Sequence, residues 1–279
     1  MPKSVAEARV LAVTSGKGGV GKTNVALNLA IALANRVQRV VLWDADLGLA
    51  NVQVLMRLQP RGDLSDVLAE QKSIREILID TPVGIKIVPG ASGDEHLANL
   101  SVRERLVFSE AIRDLVQEAD FIIIDTGAGI SANTTDFARA ADDVLVVTTP
   151  EPTALVDAYA AIKVVHNGAP WSRIHLVVNM ARDEKEAGRA MLRLESMAAH
   201  YVGSRLIKEG YILFDHAVGS AVRQRAPFLL AYPTSQAASA IWKMADSLLK
   251  TRDLPKEARA EPAKAPGVLE RLRTLLGGE

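Results

Sequence analysis

The chain of 279 residues contains no cysteine. That excludes disulfides, thiolate metal sites and thiol nucleophiles, and it fits a reducing cytoplasm. No apolar signal core stands at the N-terminus and no segment is long enough to span a bilayer, so a soluble cytoplasmic protein is expected. Neither sign of charge is in excess: 33 basic residues face 33 acidic ones, which gives no electrostatic reason to expect nucleic acid, although a local basic patch stays open. The histidines, His96, His166, His175, His200 and His216, are scattered and make no metal-ligand spacing. There is no internal repeat. With 48% hydrophobic and 24% charged residues, the chain has room for one large core.

What is present is a glycine-rich run, Gly16-Lys17-Gly18-Gly19-Val20-Gly21-Lys22-Thr23, followed by Asn24. The spacing G-x-x-x-x-G-K-[ST] lets consecutive backbone N–H groups turn inward around a triphosphate. Gly18, Gly19 and Gly21 admit backbone conformations that a Cβ would block. Lys22 is expected at the β- and γ-phosphates, and the Thr23 hydroxyl on Mg²⁺. Arg9–Ser15 before the loop is apolar and rich in β-branched residues, a buried strand. Residues 24–34 after it carry alanine and leucine at helical spacing. Strand, loop and helix together aim a helix N-terminus at the anion.

Further apolar strands are expected at 39–46, Ile85–Val88, 121–125, 144–148 and 174–179, with helices at Val102–Glu118, 153–166, 184–199 and from Ser235. Near-continuous apolar strands separated by helices predict an α/β fold, a mostly parallel twisted sheet with helices on both faces. Polar residues gather at the strand C-termini, where such a sheet places its ligand. One domain is expected over residues 1–250, a Pro-containing linker over 251–266 and a short amphipathic helix over 267–279.

Asp125 closes four apolar residues and precedes Thr126-Gly127-Ala128-Gly129, the layout of a Walker B strand that holds Mg²⁺ through its water shell. Asp44 and Asp46 stand two apart at another strand end and share one side of the pleat. One suits Mg²⁺ waters and the other an attacking water. The strand end Asn179-Met180-Ala181-Arg182-Asp183 lacks the lysine and the aspartate position of a guanine-reading N-K-x-D motif. An Asn amide offers one donor and one acceptor to N6 and N7 of adenine, so ATP is expected, with Asn179 as the base contact. Trp43 is expected in the core, Tyr159 in the core or facing a partner, and Asp215 as a helix cap.

Lys17-Gly18-Gly19-Val20-Gly21-Lys22-Thr23 resembles the deviant Walker A motif of the MinD/ParA ATPases, with Lys17 at the signature lysine. The resemblance implies an ATP-dependent homodimer in which Lys17 reaches the phosphates of the other subunit. It further implies that Asp46 serves the hydrolytic water, and that turnover is slow and stimulated by partners. Asp44-Ala45-Asp46-Leu47-Gly48-Leu49-Ala50-Asn51-Val52 is similar to the flagellar-number regulators, the FlhG/FleN (YlxH) branch. So are Ile87-Val88-Pro89-Gly90-Ala91-Ser92-Gly93, Asp125-Thr126-Gly127-Ala128-Gly129-Ile130, and Thr149-Pro150-Glu151-Pro152-Thr153-Ala154 with Asp157-Ala158-Tyr159-Ala160-Ala161-Ile162-Lys163. That branch implies partners such as the FlhF GTPase, C-ring proteins or a flagellar transcription activator, and a place on the inner face of the cell membrane.

The chain departs from the branch in two places. It lacks the N-terminal D-Q-A-x-x-L-R motif of members that stimulate FlhF, which puts stimulation by that route in doubt and leaves binding through another face open. Gln53 stands where the branch usually has Asp. In the tail, Val268, Leu269, Leu272, Leu275 and Leu276 form one apolar stripe flanked by Arg271 and Arg273. The resemblance implies a membrane-targeting helix. A stripe this short buries little, and docking on its own domain is the alternative. A MinD-type division positioner and a ParA-type DNA-segregation ATPase remain open beside the flagellar reading.

Overall fold

The computed structural model describes residues 8–36, 39–46, 51–90, 101–130, 132–252, 267 and 271. Among the described residues eight strands form one sheet: β1 (Arg9–Ser15), β2 (Val40–Ala45), β3 (Ile79–Asp80), β4 (Ile85–Val88), β5 (Phe121–Ala128), β6 (Asp143–Thr148), β7 (Arg173–Ala181) and β8 (Ile207–Leu213). Their order is β3-β4-β2-β5-β1-β6-β7-β8, parallel throughout except for the antiparallel edge pair β3–β4. The expected α/β architecture is the observed one. Because successive side chains alternate across a strand, β1 feeds both faces: Val10 and Ala12 join one apolar cluster, Leu11 and Val13 the other.

On the first face lie α3 (Leu64–Leu68), α4 (Ile74–Ile77), α5 (Val102–Glu118), α6 (Ala132–Ala140), α7 (Pro152–Gly168) and α8 (Glu184–Tyr201). Trp43 is buried there against Phe108 and Phe137, with ring centroids 5.7 and 5.2 Å away, as expected of a core aromatic. Tyr159 is partly buried against the same cluster. The opposite face is covered by α1 (Lys22–Ala34), α2 (Asn51–Met56), α9 (His216–Gln224), α10 (Phe228–Ala231) and α11 (Gln236–Arg252). No helix among the described residues is long and apolar enough to cross a membrane.

At the N-terminal ends of the strands, far from the loop, a buried ionic network ties the sheet together. Asp143 receives Arg9 at 2.6 Å, Arg173 at 2.7 Å and His175 Nε2 at 2.8 Å, while His175 Nδ1 meets Glu209 at 2.6 Å. Arg9 also donates to the Leu248 carbonyl of α11 at 2.6 Å. Burial works against a charged His175, but the hydrogen bonds and charges of Asp143 and Glu209 outweigh it and raise its pKa. Burial likewise opposes ionised Asp143, and its His175 and Arg9 partners win, holding the carboxyl well below the usual range.

Of the tail, Arg271 is buried against the end of the sheet. It donates to the Ala141 carbonyl at 3.1 Å and pairs with Asp142. Val268, Leu269, Leu272, Leu275 and Leu276 lie outside the described residues.

Candidate functional site

The loop begins where β1 leaves its regular pairing with β5 between Val13 and Ser15. Gly19 and Gly21 take φ of +80° and +86°, the left-handed region that favours glycine. Gly21 is the N-cap of α1 and supplies no capping side chain, nor does any acid stand in the first turn. The first N–H groups of α1 are thus left for a ligand, and the helix dipole favours an anion there. The loop is braced from both sides: Gly129 N–H donates to the Ser15 carbonyl at 2.8 Å, and the Asn179 amide to the Val20 carbonyl at 2.8 Å.

Beneath the loop, Lys22 Nζ donates to Asp125 Oδ1 at 2.6 Å, with both side chains buried. The other oxygen, Asp125 Oδ2, is buried without a hydrogen-bond partner among the described residues. Burial raises the Asp125 pKa, and Lys22 and then Thr23 oppose that rise. Asp44 lies beside Asp125 in the β2–β5 register. Its oxygens accept from Asp46 N–H at 3.3 Å and Val52 N–H at 3.1 Å. Burial, reinforced by the Asp125 charge, pushes Asp44 up to about 7. Asp46 is half-buried and takes a long contact from the Asn51 amide at 3.5 Å. Thr23, Asp44, Asp46 and Asp125 therefore converge beside Lys22. Gln53 donates to the Gly90 carbonyl at 3.1 Å, which gives that departure a structural role at the end of β4.

A divalent cation fits this corner by its donor chemistry. Hard carboxylate and hydroxyl oxygens are the ligands Mg²⁺ prefers, and an orphaned buried carboxylate oxygen is among them. The phosphate cradle fits equally. A Cβ on Gly21 would lie 2.4 Å from Asn179 Nδ2, so the loop can close this tightly only with glycine there.

Beside the loop opens a cavity of about 330 Å³, lined by Gly21, Asn24, Asn179, Met180, Phe214 and Arg223 among others. Its size and mostly apolar walls suit a planar organic group. Asn179 spends one N–H on Val20 and one lone pair on Met180 N–H at 2.9 Å. One donor and one acceptor are left, the pair that adenine requires. The walls from Phe214 to Phe228 escaped the sequence reading, because they return to the loop from the far side of β8. Asp215, which caps α9 through Ala217 N–H at 2.8 Å, was legible as a cap.

Lys17 stands apart. It is 42% exposed and points to the start of α7, where Glu151 lies at 3.0 Å.

Comparison with known proteins places this geometry among relatives. Residues 8–169 match the family described as AAA domain. The chain is 39% identical over 240 residues to the antiactivator FleN of Pseudomonas aeruginosa, covering 86% of each. It is 37% identical over 196 residues to the flagellum site-determining protein YlxH of Helicobacter pylori, covering 70% of this chain and 66% of that one. Among solved structures, the septum site-determining protein MinD of Pyrococcus horikoshii, complexed with Mg-ADP, superposes with a TM-score of 0.73 at 26% identity, covering 88% of this chain and 98% of that chain.

Proposed function

The chain belongs to the MinD/ParA family of P-loop ATPases, in its flagellar-regulator branch, and we propose that it is a slow, Mg²⁺-dependent ATPase switch whose ATP-bound dimer sets flagellar number and placement. The carrying observation is the division of labour between the two loop lysines. Lys22 is buried under the glycine-rich loop with Asp125, while Lys17 stands outside on the surface. A second cation is not needed within the subunit, and its exposure suits a charge that acts on a neighbouring copy.

In this reading the backbone of Gly16, Lys17, Gly18, Gly19, Val20 and Gly21 and the Lys22 ammonium hold the phosphates. Asn24 and Asn179 border the adenine. Thr23, Asp44 and Asp125 would hold Mg²⁺, which supplies charge neutralisation at the phosphate oxygens. Asp46 orients the attacking water and accepts its hydrogen bond. Lys17 of the second subunit stabilises the charge that develops on the transferred phosphoryl group, so hydrolysis and dimerisation are linked. The apolar tail helix binds the inner face of the membrane in the dimer, where two copies add avidity. The FlhF GTPase, C-ring proteins or a flagellar transcription activator are the partner classes, on the ground of the similarity to FleN and YlxH.

The test is genetic. In a strain deleted for the gene, flagella are counted by electron microscopy after complementation with wild type, Lys17→Ala or Asp46→Ala. Restoration by wild type alone is the expected result. Normal flagella with minicell formation in the deletion would favour a MinD-type division role instead.

A further inference from the structure

Lys17 is held within its own subunit. Its Nζ donates to Glu151 Oε2 at 3.0 Å and to Thr153 Oγ1 at 3.3 Å, both at the start of α7. The helix packs closely on the loop, since a Cβ on Gly16 would lie 2.1 Å from the Asp157 backbone. Glu151 is the N-cap of α7 yet makes no capping hydrogen bond. Its carboxylate is not committed to a capping hydrogen bond, and among the described residues its ion-pair partner is Lys17.

We propose that Glu151, aided by Thr153, is a parking site that restrains Lys17 in the separate subunit and thereby sets the threshold for dimerisation; this rests on the reading above that Lys17 acts across the dimer. One ammonium cannot stay on its own Glu151 and also meet phosphates bound by another copy. Glu151 and the partner's triphosphate therefore compete for the same cation. An exposed ion pair restrains its lysine only by a small factor. A two-fold dimer requires both lysines to leave, so a restraint of about threefold per subunit enters the dimer constant squared, about tenfold. A partner offering a basic group to Glu151 would release Lys17 and lower the threshold.

The test uses the full chain with Mg²⁺ and a non-hydrolysable ATP analogue, and measures the dimer dissociation constant by sedimentation velocity over a concentration series. Glu151→Gln and Glu151→Ala are expected to dimerise about tenfold more tightly than wild type, with the gap narrowing at high salt. Glu151→Gln placed on Lys17→Ala is expected to change nothing, because no lysine is left to release. Suppose Lys17→Ala prevents the dimer but the Glu151 variants match wild type or dimerise more weakly. The parking site is then wrong while the action of Lys17 across the dimer stands. If wild type stays monomeric, or Lys17→Ala dimerises as wild type does, the switch itself falls and the parking site falls with it.

Discussion

Lys22 and Asp125 form an ion pair of 2.6 Å sealed under the phosphate loop, Lys22 being 6% exposed and Asp125 fully buried. The two side chains offset one another's charge within the protein. In the proposed reading Mg-ATP would exchange these partners, Lys22 turning to phosphate and Asp125 helping to hold the cation, so that neither side chain would be left unpaired.

That exchange predicts a non-additive pair of mutations. Lys22→Ala leaves a buried carboxylate unpaired and is expected to destabilise the protein without nucleotide by about 3 kcal/mol. Asp125→Asn added to it removes the stranded charge and recovers much of the loss. Denaturant unfolding of the two single variants and the double variant checks the cycle. Strict additivity would mean that the pair carries no coupling.

Asn179 is expected to separate base recognition from phosphate binding. Asn179→Ala removes the donor and acceptor left for adenine and the brace on Val20. The ATP dissociation constant should rise about tenfold or more, since leaving a base-edge contact unmade costs on the order of 1–3 kcal/mol. Tripolyphosphate, which has no base, should lose much less. Calorimetry with both ligands measures the difference, and equal losses would point to loop distortion alone.

His175 ties stability to pH. Its folded pKa is raised above the unfolded value of about 6.5 by Asp143 and Glu209 against the opposing effect of burial. The stabilisation is therefore complete below about pH 6.5 and is lost as pH rises through the higher folded pKa. Unfolding free energies measured upward from about pH 6.5 should fall with pH. His175→Ala should cost about 3 kcal/mol at pH 6, with little of that slope left. An unchanged slope in the variant would assign it to another group.

Arg271 predicts how the tail is released. Asp142→Asn removes its ionic partner while leaving an oxygen for the Val10 N–H, now 2.9 Å from the carboxylate. If the apolar stripe of the tail binds membrane, this variant should pellet with anionic liposomes at lower ATP than wild type. Identical sedimentation of the two proteins would show that the Arg271 contact does not oppose membrane binding.

The phosphate loop was legible because its conformation is a local matter: glycines at φ of +80° and +86° sit between a β-branched strand and an alanine-rich helix. Strand β8 was not. Glu209 interrupts its apolar run, and the register shifts around Gly210, whose φ is +105°. Glu209 is tolerated inside only because His175 waits on β7, a long-range pairing that periodicity does not reveal. The adenine-side walls were hidden for a similar reason, since Phe214 and Arg223 reach the loop through β8 and α9. Lys17 was recognised by resemblance, but its tether to Glu151, 134 positions away, needed coordinates.

In the proposed switch ATP joins two copies through Lys17, and sedimentation velocity reads that association. Wild type and Lys17→Ala are compared with Mg-ATP, Mg-ADP and no nucleotide. Wild type should be dimeric only with ATP, and Lys17→Ala monomeric throughout while still binding ATP. A Lys17→Ala protein that dimerises with ATP as wild type does would remove Lys17 from the dimer switch.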